Sequence, residues 1–202
     1  MKKTILTVIS ILAATILIAA MPTEAEAEIY SDTVRLHILA NSDSDADQNL
    51  KLLVRDALLV TYGEFLGESE SRDDAVLRIS SLIPEIEKTA EQIISENGYS
   101  YKATASITTE WYDTRVYENF TLPRGYYSSL RVIIGEGQGQ NWWCVMYPPL
   151  CLDMSLEDAP PDDALIDYSR EEYALISHSG YNLKFKILEL ISDAVASLQK
   201  KH

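Results

Sequence analysis

The 202-residue chain carries 17 Lys and Arg against 31 Asp and Glu, a formal charge of −14. Such a surface repels nucleic acid and anionic lipid head groups at long range, and no basic stripe interrupts it, so nucleic-acid binding is excluded. The length suits one domain with a real core, since domains of ~175 residues bury roughly 70% of their unfolded surface.

The first predicted element is a leader. Lys2 and Lys3 precede an uncharged, mostly apolar run from Thr4 to Ala20, and Ala25-Glu26-Ala27 offers small residues at both positions that a signal peptidase reads. That order predicts a secretory signal peptide over residues 1–27 and a single exported domain over 28–202. An uncleaved N-terminal anchor that tethers the domain is the alternative for the same run. Cleavage after Ala27 removes Lys2, Lys3, Glu24 and Glu26, so the exported part keeps the charge of −14.

Val34, Leu36 and Ile38 alternate with Arg35 and His37, which predicts a half-buried strand. The run Asn41-Ser42-Asp43-Ser44-Asp45 ends it, and Asp45 with Gln48 has the form of a capping box. A helix follows with Leu50, Leu53, Val54, Ala57 and Leu58 on one face, as far as Gly63 or Gly67. A second helix is predicted from near Ser71, with Ala75, Ile79, Leu82, Ile83, Ile86, Ala90, Ile93 and Ile94 at helical spacing. Asn97-Gly98 is its left-handed cap. Pro84 is expected to kink or restart it.

The period then changes to two. Tyr101, Ala103, Ala105, Ile107, Thr109 and Trp111 alternate with polar residues, a long strand with one solvated face. Val116 to Leu122 reads as a further, irregular strand, Pro123-Arg124-Gly125 as a turn, and Tyr127 to Ile134 as a third extended run. The glycine-rich stretch 135–139 leads into Trp142 to Tyr147, and the two runs are expected to pair as a hairpin. Residues 153–180 are acidic and proline-marked, without a clear period. Leu183, Ile187, Leu190, Ile191, Ala194, Val195 and Leu198 predict a closing amphipathic helix. The expected class is α+β: an antiparallel-rich sheet, N-terminal helices, and the C-terminal amphipathic helix packed on the sheet.

The segment NWWCVMYPPLC, Asn141 to Cys151, concentrates two tryptophans, both cysteines of the chain and a Pro-Pro pair. In an oxidising compartment, Cys144 and Cys151 read as a disulfide. The closed loop is short, and the entropy model assigns it about 2.5 kcal/mol. Two reduced, buried cysteines are the alternative. Zinc is not expected, since two thiolates need two further ligands and His37, His178 and His202 show no ligand spacing. Asp43, Asp45 and Asp47 open like a calcium loop, but Gln48 and Val54 stand where that loop needs Gly and Glu. Gly135, Gly137 and Gly139 lack the third glycine of a dinucleotide fingerprint. No metal, cofactor or small-molecule substrate is expected.

As neighbours on a strand, Trp142 and Trp143 point to opposite faces, so one can serve the core while the other stays at the rim. A rim tryptophan beside a rigid loop has the composition of a binding hot spot. The alternative is that helix or loop covers both. The expected contact set is Trp142, Trp143, Pro148 and Pro149 around the disulfide, with Arg35, Asn41 and Asp43 at the end of the first strand. No catalytic residues are expected. The competing reading is a secreted thiol hydrolase of the cell envelope, using Cys144 with His37 as its base; a plain structural envelope protein is a third.

The segments RLHILANSDSDADQNLKLLVRDALL, GEGQGQNWWCVMYPPLC and LKFKILEL together resemble the stage II sporulation protein R family, from Arg35 to about Leu190. The resemblance implies a non-enzymatic sporulation signal, made in the forespore and secreted into the space between the septal membranes. It also implies a partner, a membrane-bound aspartic protease of the mother cell that processes pro-sigma-E.

Overall fold

The computed structural model describes residues 2–20, 24–117 and 120–148, together with Glu172 and Ile176. Two helices lead, α1 (Lys2–Ala20) and α2 (Glu24–Asp32), followed by strand β1 (Val34–Leu39). Helices α3 (Asp45–Gly67) and α4 (Arg72–Glu96) come next, then β2 (Ala103–Tyr112). Two short strands, β3 (Arg115–Val116) and β4 (Thr121–Leu122), precede β5 (Gly125–Ile134) and β6 (Asn141–Tyr147). The class is α+β. The predicted C-terminal amphipathic helix lies outside the described residues.

The main sheet has the order β2-β5-β1-β6, and β3 pairs with β4 in a separate ribbon. β2 runs antiparallel to β5 and β6 antiparallel to β1, while β1 and β5 are parallel, so the sheet is mixed. The expected hairpin of β5 with β6 is therefore corrected: β1 lies between them. The connecting residues cross the end of β1 and are pinned there, Gly139 N–H donating to the Ala40 carbonyl at 2.9 Å and Gln138 N–H to the Asn41 carbonyl at 3.1 Å. Local periodicity detects strands but does not say which one inserts between two neighbours in sequence.

One sheet face carries Val34, Leu36, Ile38, Leu130, Val132, Ile134 and Ala103, all buried under α3 and α4. The helices supply Leu50, Val54 and Leu58 from α3 and Ala75, Ile79, Ile86, Ala90 and Ile94 from α4. These are among the periodic positions, and their burial is what stabilises both helices. Leu53, expected on the same face of α3, is exposed instead. Ser44, not Asp45, caps α3: its Oγ accepts from Asp47 N–H at 3.2 Å. Ser71 caps α4 by accepting from Asp74 N–H at 3.2 Å. At the far end Gly98 adopts φ +82°, and Tyr99 N–H reaches back to the Ile94 carbonyl at 3.0 Å, closing a Schellman motif. Pro84 does not restart the helix, which runs through it on a partly solvated side.

The second sheet face is covered too, so β1 is buried along its whole length, not half-buried. The covering residues are aromatic: Tyr30 of α2 meets Tyr127 edge-to-face at 5.2 Å, and Tyr117 stacks on Phe120 at 4.4 Å in the β3–β4 segment. Ile29 and Tyr30 follow the expected cleavage point after Ala27, which itself falls inside α2. The apolar side chains of α1 from Ile5 to Ile16 are exposed, and no described helix is long and apolar enough to cross a membrane.

Candidate functional site

Alternation along β1 sends Arg35 and His37 to the aromatic face of the sheet, away from the helices. Neither reaches water freely. Arg35 is 0% exposed. Its guanidinium lies over the Tyr112 ring at 4.1 Å and the Tyr127 ring at 5.1 Å, and Nη2 donates to Tyr117 Oη at 2.6 Å. Nε and Nη1 have no hydrogen-bond partner, so ring faces carry much of the solvation that water would give. Burial pushes the Tyr112 and Tyr117 hydroxyls well above the usual phenol range, outweighing the opposing pull of Arg35. Both rings are neutral covers.

His37 is held at both nitrogens. Nδ1 meets Glu110 Oε2 at 2.7 Å and Nε2 meets Asn141 Oδ1 at 2.8 Å. Glu110 also faces Arg131 Nη1 at 3.5 Å and accepts from Tyr112 Oη at 3.4 Å. The imidazole stacks on Trp143 at 5.6 Å, and Arg115 covers Trp143 at 4.0 Å. With both ring nitrogens committed to protein partners, none remains to take a proton from a substrate. The ring instead ties three strands together: β1, β2 and β6.

Register decides the thiol alternative. Leu36 faces Cys144 and His37 faces Trp143 across the β1–β6 pair. Cys144 therefore points to the helix side and His37 to the aromatic side, so the two are not a nucleophile and its base. Cys144 is buried and disulfide-bonded. Cys151 and Pro149 lie outside the described residues. Trp142 and Trp143 do diverge to opposite faces, and both are half-buried: Trp142 under Arg55 of α3 at 5.1 Å, Trp143 in the His37 stack. Pro148 is buried.

At the end of β1, Asn41 and Asp47 bind the loop to its neighbours. Asn41 Nδ2 donates to Asp47 at 2.8 Å, and Asn41 Oδ1 accepts from Glu136 N–H at 3.0 Å. Ser42 Oγ adds a bond to Asp47 at 2.6 Å. Burial alone raises the Asp47 pKa, but hydrogen bonds from Ser42, Asn41, Tyr101 and Ser44 outweigh it and hold the carboxyl below its usual range. Gly139 fits because a Cβ there would collide with the Ser42 carbonyl. Lys51 closes the junction, donating to Gln48 Oε1 at 2.7 Å and the Gln140 carbonyl at 3.0 Å; desolvation lowers its pKa. Asp43 remains exposed. Among the described residues no group of three His, Cys, Asp or Glu could hold a metal ion.

The family model described as stage II sporulation protein R matches residues 30–156, the stretch holding the sheet, its two covering helices and the tryptophan–cysteine segment. The chain belongs to the stage II sporulation protein R family. It is also 32% identical over 184 residues to stage II sporulation protein R of Bacillus subtilis (strain 168), covering 82% of each chain. No solved structure matches. Within this family member, the sequence singled out Arg35 and Asn41 as contacts, but Arg35 is buried beneath the aromatic layer and the Asn41 amide is taken up by the loop junction. Sequence reasoning missed the Glu110–His37–Asn141 network, since Glu110 and Asn141 stand 73 and 104 positions from His37. It also missed the exposed Trp111–Tyr126 pair on the helix-facing side.

Proposed function

We propose that this protein is a secreted sporulation signal that activates a membrane-bound aspartic protease to process pro-sigma-E, coupling forespore and mother-cell transcription. Family membership carries the role in sporulation. The finer reading follows from what the family's sequence pattern implies, with export from the leader and a site in the space between the septal membranes. The disulfide at Cys144 is in keeping with an oxidising compartment.

On this reading the protein works by contact. It must bind the active state of the protease better than the resting one, because only a difference in affinity shifts an equilibrium. The docking face is edge strand β6, with half-buried Trp142 on one side and Trp143 on the other. The sequence adds the Pro148-Pro149 pair that follows the strand and a Cys144–Cys151 pairing, although Pro148 itself is buried. Asp43 lies exposed at the adjoining loop, and Arg35 and Asn41 fix the strand and loop from beneath. Reconstitution of pro-sigma-E cleavage, with the protease present and this protein added or withheld, is the test. Cleavage that proceeds equally without it would falsify the reading.

A further inference from the structure

The other edge of the sheet is β2, whose only strand neighbour among the described residues is β5. The Lys102 carbonyl accepts from Gly135 N–H at 2.8 Å, which sets even-numbered peptide groups toward β5 and odd-numbered ones outward. The outward N–H of Ala105 is already capped by Glu87 of α4, at 2.8 Å. Beyond it, Ile107, Thr109 and Trp111 turn their N–H and C=O groups to the open edge. Natural edges are usually blunted by Lys, Pro or a bulge. Residues 107–111 contain none of these, and the β2–β5 register runs unbroken through them. Glu110, the one charge in the stretch, is turned to His37 and Arg131.

Beside this open half-edge stand two large rings that the helices do not reach. Trp111 and Tyr126, cross-strand partners, are 52% and 64% exposed and meet edge-to-face at 5.1 Å. Trp111 Nε1 donates to Asp113 at 3.3 Å, fixing the indole. The carboxylates flanking the edge, Glu87 and Asp113, form no ion pair among the described residues, and the chain carries −14 overall. A second copy would bring like charge against like. A basic strand would not.

We propose that the outer edge of β2, from Ile107 to Trp111, accepts an extended basic segment of a partner protein as an added strand, with an apolar side chain of that segment against the Trp111–Tyr126 pair. Backbone bonds supply affinity in this mode and the rings supply specificity. The surface is on the opposite edge from β6 and is independent of the protease reading.

The test titrates the full chain with a synthetic peptide alternating lysine with valine, followed by calorimetry, against a glutamate–valine counterpart. The lysine peptide should bind about tenfold tighter or more, and weaken as salt is added. Thr109→Pro removes one outward N–H and leaves the β5 ladder intact; Trp111→Ser removes one ring. Each should weaken binding about tenfold with the circular dichroism spectrum unchanged. Equal binding of both peptides, or unchanged binding by Trp111→Ser, overturns the proposal. So does self-association that Trp111→Ser abolishes, since a second copy would then be the occupant.

Discussion

Arg35 sits between two tyrosine rings with only one of its nitrogen groups hydrogen-bonded, at Tyr117. Truncation to alanine leaves a void between Tyr112 and Tyr127 and removes the donor to Tyr117, so Arg35→Ala should cost about 2–5 kcal/mol in urea unfolding. An unchanged midpoint would show that the aromatic layer closes over the gap. Asp47 gives a pH-dependent counterpart. Its folded pKa is depressed, so its contribution is present above the unfolded carboxylate value, about 4, and is lost as pH falls through the folded value. Asp47→Asn should lower stability at neutral pH and flatten that part of the acid destabilisation, measured by denaturant midpoints along a pH series. Parallel pH profiles for the two proteins would remove Asp47 as the origin.

At the scale of elements, α4 is a helix that runs through a proline. Pro84 offers no N–H to the Ser80 carbonyl, yet Ile79, Ile86 and Ala90 on either side are buried against the sheet. Tertiary packing overrides the local break. Pro84→Ala should therefore stabilise the protein by about 1–3 kcal/mol, visible as a raised melting temperature. Ser71 works in the opposite sense: losing its cap to Asp74 N–H, in Ser71→Ala, should cost about 0.5–2 kcal/mol. Both helices were legible because their apolar positions fall at helical spacing. β2 was legible as a strand and so were its two faces, but not how far the helices cover them. Trp111 was assigned to the apolar side with Ala103 and Ala105, and it does lie on that side; α4 stops short of it, so the ring is exposed.

At the scale of the molecule, the sheet has two unlike edges. β6 brings a disulfide-bonded cysteine and two half-buried tryptophans; β2 brings an open backbone and the exposed Trp111, which meets the exposed Tyr126 of β5. If β6 docks the protease, Trp142→Ala should abolish activation in the reconstituted cleavage assay while the domain stays folded by circular dichroism. Full activation by both Trp142→Ala and Trp143→Ala would move the docking site elsewhere. Trp142 is the cleaner probe, since Trp143 is part of the His37 stack that ties the sheet together.

Sequence alone determined the class, the family, the limits of most elements and the opposed directions of Trp142 and Trp143. Those properties depend on side-chain period and on contiguous motifs, which a linear string contains. Only the tertiary structure decided that β1 enters between β5 and β6, that Arg35 lies buried, and that His37 is bound to Glu110 and Asn141. It also placed Cys144 and His37 on opposite faces. Each of these depends on strand neighbours far apart in the chain, and the choice of neighbour follows from burying the whole set of apolar faces at once.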